Sequence, residues 1–536
     1  MKSINKFLTV GLSALALVAC NDLDQQIEGN YATTDQKKDL TEEFPEKLVA
    51  AVAGTTAEFS KYMTVYEQHF DFGYPSLMLA LDSRGIDMLG CDSGYNWFSW
   101  SNDLSDGNVN GRGTNLAWSY MYSQISAANT LLKTVGESND ATMQFYMAQA
   151  KAIRAYDYWV LAQLYQFNYV GHESQPCVPI ITDKNIDEIA AVGGAKRSTV
   201  QEVYTQIMND LDDAISYLTA AKAARVTPDA VLDSKPKRLV SLATAYGLRA
   251  RVNLTMGKYL EAANDAKDAI AQFGGQPMSF ETASKPGLWS IDESNWMWGI
   301  AINEQDRVVT SSIVNWPSHM GSLCGNSYAE VGAWRQVAKN LFDQIPGKDA
   351  RKGWWLDSKK KSANLTEAQQ AYCKDADMPA YNQVKFAPYQ DQLGNTVKGQ
   401  DIPLMRIEEM YLIQAEGEAM SGNTEGGKQT LTKFVKTYRF KSYACHANTP
   451  TDIQNEVWFQ RRVELWGEGL SYFDIMRLKK PIDRRGGGWP ANWVYNVPAE
   501  SNVMRYVIPN SELQANQMIS AADNNPSSER PLPVTE

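Results

Sequence analysis

Residues 239–273 read LVSLATAYGLRARVNLTMGKYLEAANDAKDAIAQF, and this stretch decides the fold. Ala243, Gly247 and Ala250 precede a Gly257-Lys258-Tyr259 turn, and Ala262, Ala263, Ala266 and Ala269 follow it. Two helices joined by a tight turn, with small side chains where their backbones approach, make a tetratricopeptide-type unit. A second near-copy, IEEMYLIQAEGEAMSGNTEGGKQTLTKFVKTY, spans 407–438 and turns at Gly422-Asn423. Working outward, residues 148–166 and 200–218 are helical by spacing. So is about Leu116–Val135, where Trp118, Met121, Ile125, Ala128 and Leu132 share one face. Thr41 can cap a further helix over about Glu42–Met63, with Leu48, Val49, Val52 and Phe59 as its apolar stripe.

Two regions break the helical rhythm. Residues 92–115, DSGYNWFSWSNDLSDGNVNGRGTN, are crowded with turn formers and predict a long loop. Residues 274–400 are rich in Trp, Gly, Pro and Asn. Their readable elements are a strand over Asn295–Asn303 and a helix over about Ala329–Gln344. Residues 481–511 are again loop-like. The fold class is mostly α: a helical repeat scaffold with a loop-rich lobe holding a few short strands. In solenoids such insertions tend to carry the binding face.

The chain has 536 residues, 44% hydrophobic and 21% charged, an ordinary globular composition. A net charge of −11 argues against a nucleic-acid binder, whose footprint is a basic stripe. The four histidines lie far apart, none in an HExxH context, so neither a catalytic metal nor a cofactor is expected. Gly422–Gln429 falls one residue short of a P-loop and follows a helix where a P-loop follows a strand. Asp183, Asn185 and Asp187 open like a calcium loop, but Glu188 stands at the position that needs Gly. No disulfide framework is expected from Cys91, Cys177, Cys324, Cys373 and Cys445, an odd and widely spaced set.

What rises above background is aromatic residues in polar loops. Tyr95, Trp97, Phe98 and Trp100 sit among Asn, Asp and Ser, and Trp289 and Trp316 lie in the second irregular region. Flat aromatic faces stack on sugar rings while amides, carboxylates and guanidinium groups reach the hydroxyls. The candidate ligand contacts are Tyr95, Trp97, Trp100 and Trp316, with Asn96, Asn102, Asp82 and Arg84 as hydroxyl partners. Trp296 and Trp298, two apart on the expected strand, belong to the core.

The N-terminus is an address. Lys2 and Lys6 precede a 12-residue apolar run, Leu8–Ala19, too short to span a bilayer but suited to a signal peptide. Leu17-Val18-Ala19-Cys20 resembles a lipobox, which implies cleavage before Cys20 and acylation of its thiol. The acidic residues that follow resemble a surface-export signal of Bacteroidota lipoproteins.

Taken in order, the segments resemble the SusD/RagB family of outer-membrane nutrient-binding lipoproteins. They are the lipobox at Cys20, ISAANTLLKTV (125–135), AQAKAIRAYDYWVLAQLYQ (148–166), the 239–273 hairpin, IPLMRIEEMYLIQAEGEA (402–419), RRVELWGEGLSYFDIMR (461–477) and VIPNSELQANQMI (507–519). Arg406, Glu409, Glu416, Glu464, Glu468, Asp474 and Arg477 stand at family hallmarks. Ser471, Glu408 and Gly417 depart from the usual Arg, Ala and Ala.

The resemblance implies four tetratricopeptide-like helix pairs, no catalysis, and a site on the loop-rich face near 82–102 and Trp316. It also implies a lid on a SusC-like TonB-dependent transporter, to which an oligosaccharide is delivered. The expected organisation is a signal peptide over 1–19, a lipidated tether over 20–40 and one body over 41–536. Within that body the scaffold covers about 41–273 and 401–480, and the binding lobe mainly 82–115 and 274–400. The expected location is the outer membrane, lipid-anchored and facing outward. The competing readings are oligopeptide capture within the same fold, a surface glycosidase, which would need two carboxylates across a cleft, and a protein-docking adaptor that leaves the aromatic loops unexplained.

Overall fold

The computed structural model describes residues 46–92 and 94–535. The signal peptide, lipobox, tether and Thr41 cap lie outside these. The scaffold begins with α1 (Glu46–Ala57) and α2 (Tyr74–Arg84), then two long helices, α3 (Arg112–Val135) and α4 (Ala141–Tyr165). It continues with α5 (Val200–Ala223), α6 (Leu242–Thr255) and α7 (Tyr259–Phe273). After the inserted lobe come α8 (Ile407–Met420), α9 (Thr424–Tyr438), α10 (Pro450–Glu464) and α11 (Ser471–Arg477). Each of α3 to α8 packs against its successor, α8 also packs on α9 and α10, and α7 meets α8 directly although 133 residues separate Phe273 from Ile407.

Local chemistry sets the boundaries. Asp140 caps α4 by accepting from the Thr142 and Met143 amides, and Ser241 caps α6 through the Thr244 amide. Thr199 and Glu202 form a reciprocal capping box on α5. The α6–α7 turn runs through Gly257 at φ +69° and the α8–α9 turn through Gly422 at φ +101°, a region glycine enters without a Cβ penalty. The expected face of α3 is buried as a unit. Ala262, Ala263, Ala266 and Ala269 of α7 are buried. A Cβ at Gly417 of α8 would lie 2.5 Å from the Tyr259 carbonyl oxygen and 2.9 Å from Ala263, so the α7–α8 contact is close to backbone on backbone.

The lobe is held by short antiparallel pairs. β1 (Met88–Gly90) pairs with β3 (Arg335–Val337), and β2 (Trp296–Ile300) pairs with β4 (Ile402–Arg406) in an irregular register running from Trp296↔Arg406 to Ile300↔Ile402. β5 (Ile482–Asp483) pairs with β6 (Asn496–Val497). Trp296 and Trp298 are buried, as their spacing predicts. Three boundaries differ from expectation. Ala329–Gln344 is not one helix: β3 is followed by a short helix, Lys339–Gln344. Pairing with β1, and bonds from the Val337 amide to the Tyr381 carbonyl and from the Gln383 amide to the Arg335 carbonyl, outcompete local helix here. The long loop contains a helical turn, Ser99–Asn102, and α3 starts at Arg112 rather than Leu116. α1 ends at Ala57, short of Met63.

Scaffold and lobe meet in a buried ionic network. Arg406 donates to Glu468 at 2.8 and 2.9 Å and to Glu464 at 3.1 Å, and Arg439 donates to Glu464 at 2.8 Å through both Nε and Nη2. Arg351 joins Glu464 to Asp349, and Lys385 donates to Glu468 at 2.7 Å. A second branch links Arg251 to Glu409, Arg461 to Asp474, and Arg477 to Glu416. The arginines hold Glu464, Glu468 and Asp474 below the ordinary carboxylate range despite burial. Glu408, where the family usually has Ala, is accommodated: it accepts from the Met278 amide, Asn295 and Arg439. Ser471 donates to Asp87, which Arg462 grips in bidentate fashion. Among the described residues no helix is long and apolar enough to cross a membrane.

Candidate functional site

The first polar loop is braced from inside. Asn96 donates through Nδ2 to the Cys91 carbonyl and to Asn102 Oδ1, both at 2.9 Å, and its Oδ1 accepts from the Phe98 amide and Arg335 Nη1, both at 3.1 Å. Asn102 Nδ2 donates to the Ser83 carbonyl at 3.0 Å. Gly90 lies against both amides and the Arg335 guanidinium and leaves no room for a side chain. The bracing fixes the backbone on either side of Trp97.

It also corrects several expected ligand contacts. Asn96 and Asn102 are buried and spend their amides inside the protein. Asp82 is 3% exposed, accepts from the Gly469 amide at 2.9 Å, and is pushed up to about 7 chiefly by burial. Arg84 is fully buried, paired with Asp106 and lying over the Tyr506 and Tyr472 rings. Trp100 packs on Phe70 and Phe98, and Trp316 meets Phe386 edge-on at 4.8 Å. All six side chains face inward, because distant segments fold over the loop and bury its large rings and polar groups in the interior.

Two of the expected residues remain at the surface. Tyr95 is 55% exposed, and Trp97 is half-buried. Trp97 stacks on His69 at 4.8 Å and meets Tyr328 edge-on at 6.3 Å, while His69 Nδ1 contacts the Tyr328 hydroxyl. Beneath them His319 stacks between Tyr328 at 4.6 Å and Phe72 at 5.4 Å. Burial lowers His319 to about 3, so its ring is neutral and Nε2–H donates to the His69 carbonyl at 3.1 Å. Burial pushes the Tyr328 hydroxyl up to about 12, which keeps it a proton donor. The outer layer is therefore an aromatic patch on a rigid aromatic stack. Arg112, exposed and lying over Phe70 at 5.1 Å, and exposed Asn326 and Glu330, which flank Tyr328 in the chain, are its polar neighbours. His69 and Tyr328 were not among the expected residues. The available signal was the aromatic and polar alternation of Tyr66–Tyr74 and the Tyr328 that follows Gly325-Asn326-Ser327 in the second irregular region.

The calcium-like stretch is used otherwise. Asp183 pairs with Arg154 and Asp187 with Lys133, each at 2.7 Å, and Asn185 accepts from the Thr182 amide.

Stacked helical hairpins supporting a loop-built lobe with an aromatic patch define a tetratricopeptide-like scaffold adapted to present a surface. Residues 77–254 match a family described as starch-binding, associating with the outer membrane, and residues 355–531 match the SusD family. The chain belongs to the SusD/RagB family. Solved structures show the same fold. A SusD-like carbohydrate binding protein from Bacteroides vulgatus is 24% identical, with 93% of this chain and 99% of that one covered at a TM-score of 0.70. A SusD superfamily protein from Bacteroides thetaiotaomicron is 20% identical over 92% and 100% of the two chains, at 0.68. Surface glycan-binding protein A from Bacteroides thetaiotaomicron, solved with laminarihexaose, is 17% identical over 88% and 98%, at 0.62. Curated protein sequences contain no match.

Proposed function

We propose that the protein is a cell-surface, lipid-anchored glycan-binding protein. It captures an oligosaccharide on the Tyr95–Trp97 patch and delivers it to a SusC-like TonB-dependent transporter without cleaving it. The observation that carries this reading is exposed Tyr95 and, two residues on, half-buried Trp97 stacked on His69, both on a braced loop in a member of the SusD/RagB family. An aromatic face of this kind covers the C–H face of a sugar ring, and a preorganised stack loses little side-chain freedom on binding. Arg112, Asn326 and Glu330 supply donors and acceptors for ring hydroxyls. A protein that must release its cargo into a transporter needs only modest affinity, in the micromolar range or weaker, about −8 kcal/mol or less in magnitude.

A glycan array on the purified protein tests the ligand class, with laminarihexaose included because a protein of the same fold was solved with it. Retention of one or a few oligosaccharides, lost in Trp97→Ala, supports the reading. Retention of peptides and of no glycan overturns it in favour of oligopeptide capture.

A further inference from the structure

The second half of the Asn-rich loop serves a different feature. Leu104–Asn108, the segment Asn502–Val507 and the C-terminal stretch Ser528–Arg530 enclose a cavity of about 340 Å³. This lies at the lower end of the usual small-ligand range of about 300–1,000 Å³, enough for one or two sugar rings.

Its charge is unusual for this acidic chain. Arg505 lines the cavity and donates to Gln166 Oε1 at 2.8 Å and Asn502 Oδ1 at 3.1 Å, both neutral acceptors, with its guanidinium 4.5 Å over Phe167. Its Nε is buried with no hydrogen-bond partner. Arg530 also lines the cavity. It donates to the Tyr495 hydroxyl and the Asn492 carbonyl and forms a loose ion pair with Asp103 at 3.7 Å. Arg197, close enough to Arg505 for the two to repel, donates to the Cys177, Pro176 and Asp523 carbonyls and to Asn525. Two guanidinium groups therefore line the cavity, Arg505 on neutral partners and Arg530 in a loose ion pair with Asp103, with Arg197 near Arg505. The one carboxylate among the lining residues, Glu529, is exposed at the rim.

We infer that this cavity is a second ligand site, for a carboxylated sugar unit such as a hexuronate. A planar guanidinium with donors to spare matches a carboxylate in a way that neutral side chains do not. Ser105, Asn108 and Ser528 offer hydroxyl and amide partners for the ring hydroxyls, and Leu104 and Val503 offer an apolar wall for its C–H face. An inorganic anion would use the arginines and leave the rest of the cavity without contacts. The site shares no lining residue with the Tyr95–Trp97 patch and stands whether or not that patch binds glycan.

The test is calorimetry on the purified protein with sodium galacturonate, galactose and sodium acetate. Binding of galacturonate, with galactose and acetate at least about tenfold weaker, is expected. Arg505→Gln and Arg530→Gln should each weaken galacturonate about tenfold or more, Ser528→Trp should block the cavity from its edge, and Trp97→Ala should leave the affinity unchanged. If Arg505→Gln fails to fold, Ser528→Trp decides. Galacturonate affinity unchanged in Ser528→Trp, acetate binding as tightly as galacturonate, or no galacturonate binding up to about 10 mM each overturns the inference.

Discussion

Trp97 and Trp100 sit three residues apart and meet different surroundings. Trp97 rests on His69 at the surface, whereas Trp100 is 6% exposed between Phe70 and Phe98. Trp100→Ala and Trp316→Ala should each lose about 3–5 kcal/mol of stability through the cavity they leave, and thermal melts would show it. Trp97→Ala should leave the melting temperature nearly unchanged. Asp82 carries a second residue-level consequence. Burial raises its pKa from 3.8 to about 7, so the folded protein binds this proton more tightly than the unfolded chain. The stabilisation is complete below about pH 4 and is lost as pH rises through 7, up to about 4 kcal/mol at about 1.4 kcal/mol per unit. Asp157, buried with neither oxygen hydrogen-bonded, shifts the same way. Glu464, Glu468 and Asp474 shift oppositely and lose their stabilisation as pH falls below the carboxylate range. Stability should therefore peak at mildly acidic pH. Urea midpoints should be higher at pH 5.5 than at pH 8, and Asp82→Asn should narrow the difference by raising the pH 8 value; equal midpoints in the parent would contradict this. The sequence shows that these aromatics lie in a polar loop. It does not show which face inward, because Phe70, His319, Tyr328 and Arg335 arrive from distant segments.

Among elements, the helical hairpins were legible because their signals are local. Small residues, a glycine turn and a capping side chain all fall within one 30-residue window. The α7–α8 contact makes that reading testable. Gly417→Ala would place a methyl group against the Tyr259 carbonyl and Ala263, an overpacking of about 1–3 kcal/mol that should exceed the roughly 1 kcal/mol gained from helix propensity. A lower melting temperature is expected, and a higher one would mean that the helices separate without penalty. The stretch Ala329–Gln344 shows where local reading stops. Its apolar spacing suits a helix, yet β3 exists because β1, some 245 residues earlier in the chain, and residues 381–383 pair with its backbone. The same holds for β4, whose partner β2 lies across about a hundred residues of lobe.

At the scale of the molecule, the Arg406–Glu464–Glu468–Arg439 network ties the start of α8 to the end of α10 at the base of the lobe. Breaking such a buried group typically costs more than the group contributes in place, since it strands a charge. The network thus holds the patch-bearing lobe in one position on the scaffold. The proposed anchor belongs to this scale as well. Cys20→Ala should release the protein from the membrane fraction or leave an uncleaved precursor, because two or more acyl chains are needed for stable anchoring; unchanged fractionation and mature mass would remove the lipoprotein reading. The family segments made the scaffold and the general role readable from sequence. The ligand surface was readable only as a region, since Trp97 rests on His69 and on buried Tyr328, which come from distant parts of the chain. The most direct test of the central claim is isothermal titration calorimetry with the oligosaccharide retained on the array, comparing the parent with Tyr95→Ala and Trp97→Ala at matched melting temperature. Trp97→Ala should weaken binding by about 2 kcal/mol or more, roughly thirtyfold, with a smaller loss for Tyr95→Ala. Full affinity in both folded variants would contradict it and place the glycan elsewhere on the lobe.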